Sequence, residues 1–318
     1  MKGGFPMNDR KRVAIVSDTH MADPDFPPSQ KSRFMHFLDE FVRKEVGELI
    51  LLGDIFELSQ GRLNDVYEDC LDILMKFAEL ANNGIRITYL LGNHDFTLSD
   101  VKGFDLIPHP NIIVRLARDI LLPVRKYVDS SGRDTRKVRG ERVFSSASFR
   151  TINGKRAFLA HGHEFNHYFR GNPARFDSVI RAARLLEKVE PTLDDRLLGA
   201  MEKLKHGLFG AFYNSGTPGR EGILKDELEF RLAARDICKY IVSDDGEIRQ
   251  RNESERIDYV FFGHTHLQEG PVVLRDDILD DSGKEWGRYY NTGAWVIKGK
   301  RSDYTVINSD GSVDSLRW

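Results

Sequence analysis

Along this chain, short apolar runs end abruptly in polar residues able to bind metals. Val13-Ala14-Ile15-Val16 leads into Ser17-Asp18-Thr19-His20, and Leu49-Ile50-Leu51-Leu52 leads into Gly53-Asp54. Ile85 to Leu91 leads into Gly92-Asn93-His94-Asp95, and Ala157-Phe158-Leu159-Ala160 leads into His161-Gly162-His163. Tyr259-Val260-Phe261-Phe262 leads into Gly263-His264-Thr265-His266. Each run is continuous and rich in branched or aromatic residues, the mark of a buried strand.

Helical periodicity separates the early strands. From an N-cap region at Ser29, apolar residues fall at Phe34, Phe37, Leu38, Phe41, Val42 and Val46, with Gly47 as the stop. A second helix is predicted from about Asn64, with Val66, Leu71, Leu74, Phe77, Ala78 and Ala81 on one face and Gly84 closing it. Strands alternating with helices predict parallel βαβ units, and ligands bind beyond the carboxyl ends of such strands. All of the polar clusters fall there.

After Asn111 the pattern turns strand-like, at Val143 to Phe149, around the Ile152-Asn153-Gly154-Lys155 turn and from Tyr289 to Ile307. Glu164 to about Ile241 reads mainly as helix, broken at Asn214 to Gly219. The expected organisation is a single domain over 1–318 with a mainly helical insertion at 164–250. Within it Leu197, Leu198, Met201, Leu204, Leu208, Phe209 and Phe212 repeat at helical spacing, as a helix packed on the core or a candidate lid would.

The 318 residues are 40% hydrophobic and 30% charged, which suits a globular chain and excludes a disordered one. A net charge of -2 gives no strong nucleic-acid signal, and a nuclease reading gains nothing from it. Cys70 and Cys238 stand far apart without metal-ligand spacing, which predicts a reducing, cytoplasmic setting. No run is long enough for a transmembrane segment, and no signal-peptide segment follows Met1 to Arg12; peripheral contact with a membrane stays compatible with the sequence.

Asp18 and Asp54, His20, His161, His264 and His266, and the Asn93 amide form a mixed oxygen and nitrogen donor set. Such a set suits Mn, Fe or Zn, whereas calcium prefers oxygen alone. A bridging carboxylate can hold two divalent metal ions about 3.5–4 Å apart, which clamp an in-line displacement and lower the pKa of a bound water to make hydroxide near neutral pH. Taken singly, Asp18-x-His20 is a weak signal and Gly53-Asp54 could be a plain turn. The ordered set, each at a strand exit, is hard to reach otherwise.

The series Asp18-x-His20, Gly53-Asp54, Gly92-Asn93-His94-Asp95, His161 and Gly263-His264-x-His266 resembles the calcineurin-like metallophosphoesterase superfamily, from about residue 13 to 297. The resemblance implies an α/β fold of four layers, α-β-β-α, with two facing sheets. It implies that Asp18, His20 and His266 bind one metal and Asn93, His161 and His264 the other, with Asp54 bridging and manganese the expected ion. His94 would stay off the metals, contacting the substrate phosphate or protonating the leaving oxygen, with Asp95 holding its imidazole. His163 and Arg170 are candidate substrate contacts. The implied activity is hydrolysis of a phosphate ester or anhydride in a phosphorylated small molecule or nucleotide-linked substrate.

Gly53-Asp54-Ile55-Phe56-Glu57, residues 92–96 and Asn291-Thr292-Gly293-Ala294-Trp295 also resemble the UDP-2,3-diacylglucosamine diphosphatase branch, which acts in lipid A synthesis. That branch usually has Arg where this chain has His94, and Asp where it has His163. A non-catalytic scaffold on the same fold would show a degraded ligand set, and here every position is filled.

Overall fold

The computed structural model describes residues 12–23, 26–58, 63–96, 98, 109–125, 138–165, 220–276, 283–295 and 302–318. The chain begins with β1 (Arg12–Val16), helix α1 (Pro28–Phe37), β2 (Val46–Leu52), α2 (Leu63–Asn82), β3 (Arg86–Leu90) and β4 (Ile112–Arg115). The middle holds β5 (Arg118–Arg125), β6 (Val138–Ser145), β7 (Ser148–Ile152), β8 (Lys155–Leu159), α3 (Arg220–Lys239), β9 (Tyr240–Val242) and β10 (Ile248–Gln250). It closes with β11 (Tyr259–Phe262), β12 (Gln268–Arg275), β13 (Glu285–Thr292), β14 (Asp303–Ile307) and β15 (Val313–Arg317).

Two large sheets result, ordered β15-β14-β1-β2-β3-β4 and β12-β13-β11-β8-β7. β1 to β4 run parallel, as do β8, β11 and β13. All five strands that end in polar clusters therefore point their carboxyl ends alike within their sheets.

Strand alternation sorts the apolar residues into layers. Ala14, Val16, Leu49, Leu51, Ile87 and Tyr89 pack with Phe34, Phe37, Phe77 and Leu80 of α1 and α2. Val13, Ile15, Ile50, Leu52 and Leu90 turn the other way and meet Leu159, Tyr259, Phe261 and Tyr290 of the second sheet. Val260 and Phe262 face outward again, onto Phe230, Ala234 and Ile237 of α3. The order is helix, sheet, sheet, helix. The four-layer architecture is the one the resemblance implies.

Local boundaries depart from the periodicity. α1 starts at Pro28, not Ser29, because proline's fixed φ suits the first turn and its missing N–H costs nothing there. It continues through a π-helical turn (Leu38–Val42) and ends at Glu45. Val46 and Gly47 belong to β2, where Val46 pairs with Arg12, so the parallel ladder overrides the helical pattern. On α2 the buried face is Cys70, Ile73, Leu74, Phe77, Leu80 and Ala81, while Leu71 is 54% exposed. Leu71 shares the stripe by helical spacing, but the sheet covers the neighbouring side of it. The run Val143 to Phe149 divides between β6 and β7, in different sheets.

Within 164–250, α3 is helical as expected, but Tyr240–Val242 and Ile248–Gln250 pair as an antiparallel hairpin. The candidate lid at 197–213 and the break at 214–219 lie outside the described residues.

Candidate metal centre

Each cluster sits in a loop that leaves a parallel strand, and the backbone fastens these loops to one another. The amide of Asp18 donates to Gly53 O at 3.1 Å, that of His20 to Asp54 O at 3.0 Å and that of Met21 to Ile55 O at 2.9 Å. The amide of His264 donates to Asp18 Oδ2 at 3.0 Å, and that of His94 to Asp54 Oδ1 at 2.8 Å. Ser17 Oγ pairs with Thr292 Oγ1 at 2.6 Å, and Trp295 N donates to Asp18 O at 3.1 Å. The Asn291–Trp295 segment thus secures the β1 exit.

Close approach explains two motif glycines. A Cβ on Gly92 would lie 2.2 Å from Asp54 Oδ1, and one on Gly53 would lie 2.6 Å from the His161 ring at a φ of +85°. Only glycine lets these loops touch.

The side chains converge from both sheets. Asp18, His20 and His266 offer ligand atoms all within 4.8 Å of one another, and so do Asp54, His161 and His264. His266 Nε2 is 3.2 Å from Asp18 Oδ1 and 3.3 Å from His20 Nε2. Asp54 Oδ2 is 3.0 Å from His161 Nε2 and 3.9 Å from His20 Nε2, so one oxygen stands between the two groups. Asn93 is buried at the same exit as His94.

The donors fit a cation pair. His161 Nδ1 is 2.9 Å from Leu52 O, which fixes Nδ1 as the donor and leaves the Nε2 lone pair facing the carboxylate. His161 Nε2 and Asp54 Oδ2 are both buried and, among the described residues, neither has a hydrogen-bond partner. Two electron-rich atoms held together away from water need positive charge between them. In the metal-free centre a proton takes that place. Burial alone would lower His161, but the Asp54 and Asp18 carboxylates push it up to about 10. Burial alone would raise Asp54, but His161 and His94 hold it well below the usual carboxylate range. Burial and the charge on His161 push His264 well down, which keeps a neutral nitrogen for coordination.

One expected role is corrected. Asp95 does not hold the His94 imidazole: its carboxylate accepts from the backbone N–H of Ile55 at 2.8 Å, the N–H of Gly92 and the Tyr89 hydroxyl. Asp95 is a brace for the β2 and β3 exits, because its side chain is buried toward the backbone of both loops. Glu57 takes the imidazole instead, with Oε2 2.6 Å from His94 Nδ1 and 3.1 Å from His20 Nδ1. The sequence reading places Glu57 at the end of the Gly53-Asp54-Ile55-Phe56-Glu57 run but gives it no role; its signal is its place three residues after Asp54 in a strand-exit loop. His163 is buried edge-on to Phe96, with its ring 5.6 Å from that of His161, and burial lowers its pKa. Arg170 lies outside the described residues.

Comparison with known proteins agrees with this geometry. Residues 11–268 match the family model for calcineurin-like phosphoesterases. No curated protein matches the chain. A conserved uncharacterized protein (predicted phosphoesterase) from Streptococcus pneumoniae TIGR4 aligns at 11% identity over 97% of this chain and 98% of that one, with a TM-score of 0.29. A dimetal phosphatase from Danio rerio aligns at 13% identity over 98% and 96%, with a TM-score of 0.34. These TM-scores are too low to carry an argument, so the family match stands on its own. Because that match spans most of the sequence and includes every strand exit described above, the chain belongs to the calcineurin-like phosphoesterase family and is a metal-dependent phosphoric ester hydrolase.

Proposed function

We propose that the chain hydrolyses a phosphate ester or anhydride at a two-cation centre. Asp18, His20 and His266 would hold one ion, Asn93, His161 and His264 the other, and Asp54 would bridge. The observation that carries this reading is the place of Asp54 Oδ2, buried with no hydrogen-bond partner among the described residues and within 3.9 Å of imidazole nitrogens from both groups. The mixed carboxylate, amide and imidazole donors suit manganese, iron or zinc, and manganese is the ion proposed. Bound cations would supply charge neutralisation at the phosphoryl oxygens and activation of water near neutral pH.

The chain's own groups do the rest. His94 Nε2 is 3.9 Å from Asp54 Oδ2, with Nδ1 committed to Glu57. Burial would lower His94, but Asp54 and Glu57 push it up to about 9 in the metal-free centre. A protonated His94 suits contact with a substrate phosphate or delivery of a proton to the leaving oxygen. The shared inter-sheet core supports one domain over 1–318, with 164–250 as its insertion. Buried Cys70 and Cys238 are free thiols, which supports a cytoplasmic setting, and among the described residues no helix is long and apolar enough to cross a membrane. The nucleotide-lipid reading gains no support here, since the candidate lid lies outside the described residues.

The test is metal analysis together with turnover of aryl phosphate monoesters and diesters by manganese-loaded protein. Two ions per chain and turnover that Asp54→Ala abolishes are expected. A folded wild-type protein that takes up no transition metal overturns the proposal.

A further inference from the structure

We infer that the cavity at the amino ends of β8 and β11 binds a single-chain amphiphilic anion, a fatty carboxylate or an alkyl phosphate, with its head on Arg156 and Arg251 and its chain along Leu121, Ile241 and Ile257. The cavity is about 510 Å³ and lies between β5, β7 and β9. That volume falls within the roughly 300–1,000 Å³ of small-molecule sites. It is remote from the metal centre, which occupies the opposite ends of the same strands. Ala157 in its wall precedes His161 by four residues, about 13 Å of extended chain.

The charges of the wall select an anion. Arg150 is forked onto Glu48, and Glu255, the acid of the lining, accepts from both Nη atoms of Arg249 at 2.8 and 2.6 Å. Arg156 and Arg251 have no carboxylate partner among the described residues. Arg156 Nη1 donates to Ser254 O, while Arg251 donates from Nε to Ile237 O at 3.1 Å and from Nη1 to Glu255 O at 3.4 Å. Backbone carbonyls thus fix both guanidiniums and cancel neither charge. Burial, with repulsion from Arg156 added to it, holds Arg251 below the usual arginine pKa. Each guanidinium keeps further N–H donors for a ligand, in a fork that matches carboxylate and phosphate oxygens.

The rest of the wall selects the body of the ligand. Leu121, Ile241, Val242 and Ile257 make it aliphatic, and Phe149 adds a ring that is 51% exposed. The Phe149 ring is already met by the Phe158 ring at 4.5 Å and by the Arg251 guanidinium at 5.9 Å, and Lys239 stands 5.7 Å over the Tyr240 ring. A planar base therefore finds no clear aromatic face to stack on. A flexible alkyl chain can follow the aliphatic side chains and cover Phe149.

Calorimetric titration of the full chain with hexanoate, decanoate, decyl phosphate, decanol and inorganic phosphate, all below micelle formation, tests the inference. Asp54→Ala is titrated beside wild type, so that an anion held at the metal centre is told apart from one held here. Decanoate or decyl phosphate should bind one per chain in both proteins, and decanol at least about tenfold more weakly. From hexanoate to decanoate, affinity should rise by up to about fourfold per methylene. The tighter of the two heads identifies the ligand as a carboxylate or a phosphate. Arg156→Gln, at an exposed side chain, should weaken binding by about tenfold or more with circular dichroism unchanged. NMR should place the alkyl protons beside the Leu121 and Ile241 methyls. Failure of both amphiphiles to bind overturns the inference, as does decanol binding as tightly as decanoate, or inorganic phosphate as tightly as decyl phosphate. So does binding that survives both Arg156→Gln and Arg251→Gln, or that Asp54→Ala removes.

Discussion

Asp18, His20, Asp54, His264 and His266 all adopt positive φ, between 45° and 68°. This left-handed conformation crowds Cβ against the backbone and costs about 1 kcal/mol or more at each non-glycine residue. The cost falls on residues proposed as ligands, where hydrogen bonds between loops hold the backbone in place. The same crowding sets the limits on substitution nearby. Gly92→Ala brings a Cβ to 2.2 Å from Asp54 Oδ1, so one of the two must move. The expected outcome is loss of metal binding and activity while far-ultraviolet circular dichroism stays that of wild type. An alanine variant with full metal content would show that the contact between these loops is not needed.

Helix α2 shows what periodicity can and cannot say about an element. A helix from about Asn64 closing near Gly84 was legible from spacing, and Leu63–Asn82 is what forms. Its buried face was legible only in part, because Leu71 and Leu74 both satisfy the helical stripe. The sheet covers Leu74 and leaves Leu71 exposed, since Ile73, Phe77 and Leu80 set which side faces Ile87 and Tyr89. Phe77→Ala should therefore cost about 3–5 kcal/mol in denaturant unfolding, as deletion of a buried ring does. Leu71→Ala should change stability by no more than about 0.5 kcal/mol. Equal losses would contradict the observed face.

At the scale of the molecule, an ion pair joins the two sheets. Arg150 of β7 forks onto Glu48 of β2, with Nη1 to Oε1 at 2.7 Å, and the Thr88 hydroxyl of β3 donates to Oε1 at 2.7 Å. Glu48 is buried, while Arg150 still reaches solvent, so the pair gains less than a fully buried one. Removing the guanidinium leaves a buried carboxylate with the Thr88 hydroxyl in place of its charge partner. Arg150→Met is expected to destabilise by about 2 kcal/mol, and adding Glu48→Gln to recover part of that. If the double variant is less stable than Arg150→Met, the charge on Glu48 is not the source of the loss.

The strand exits, the donor types and the parallel βαβ order were readable from the sequence because they depend on local period and residue chemistry. A continuous branched run must be buried, and polar residues directly after it must lie at its end. Which partners those side chains meet was decided by tertiary structure. Asp95 and Glu57 are both acidic residues in exit loops, and nothing local separates the brace from the carboxylate that holds two imidazoles. The difference arises from the register of β1, β2 and β3 and the bridge from Met21 to Phe56, contacts between segments far apart in the chain. A hydrogen bond depends on distances of a few tenths of an ångström, and only the packed sheets set those.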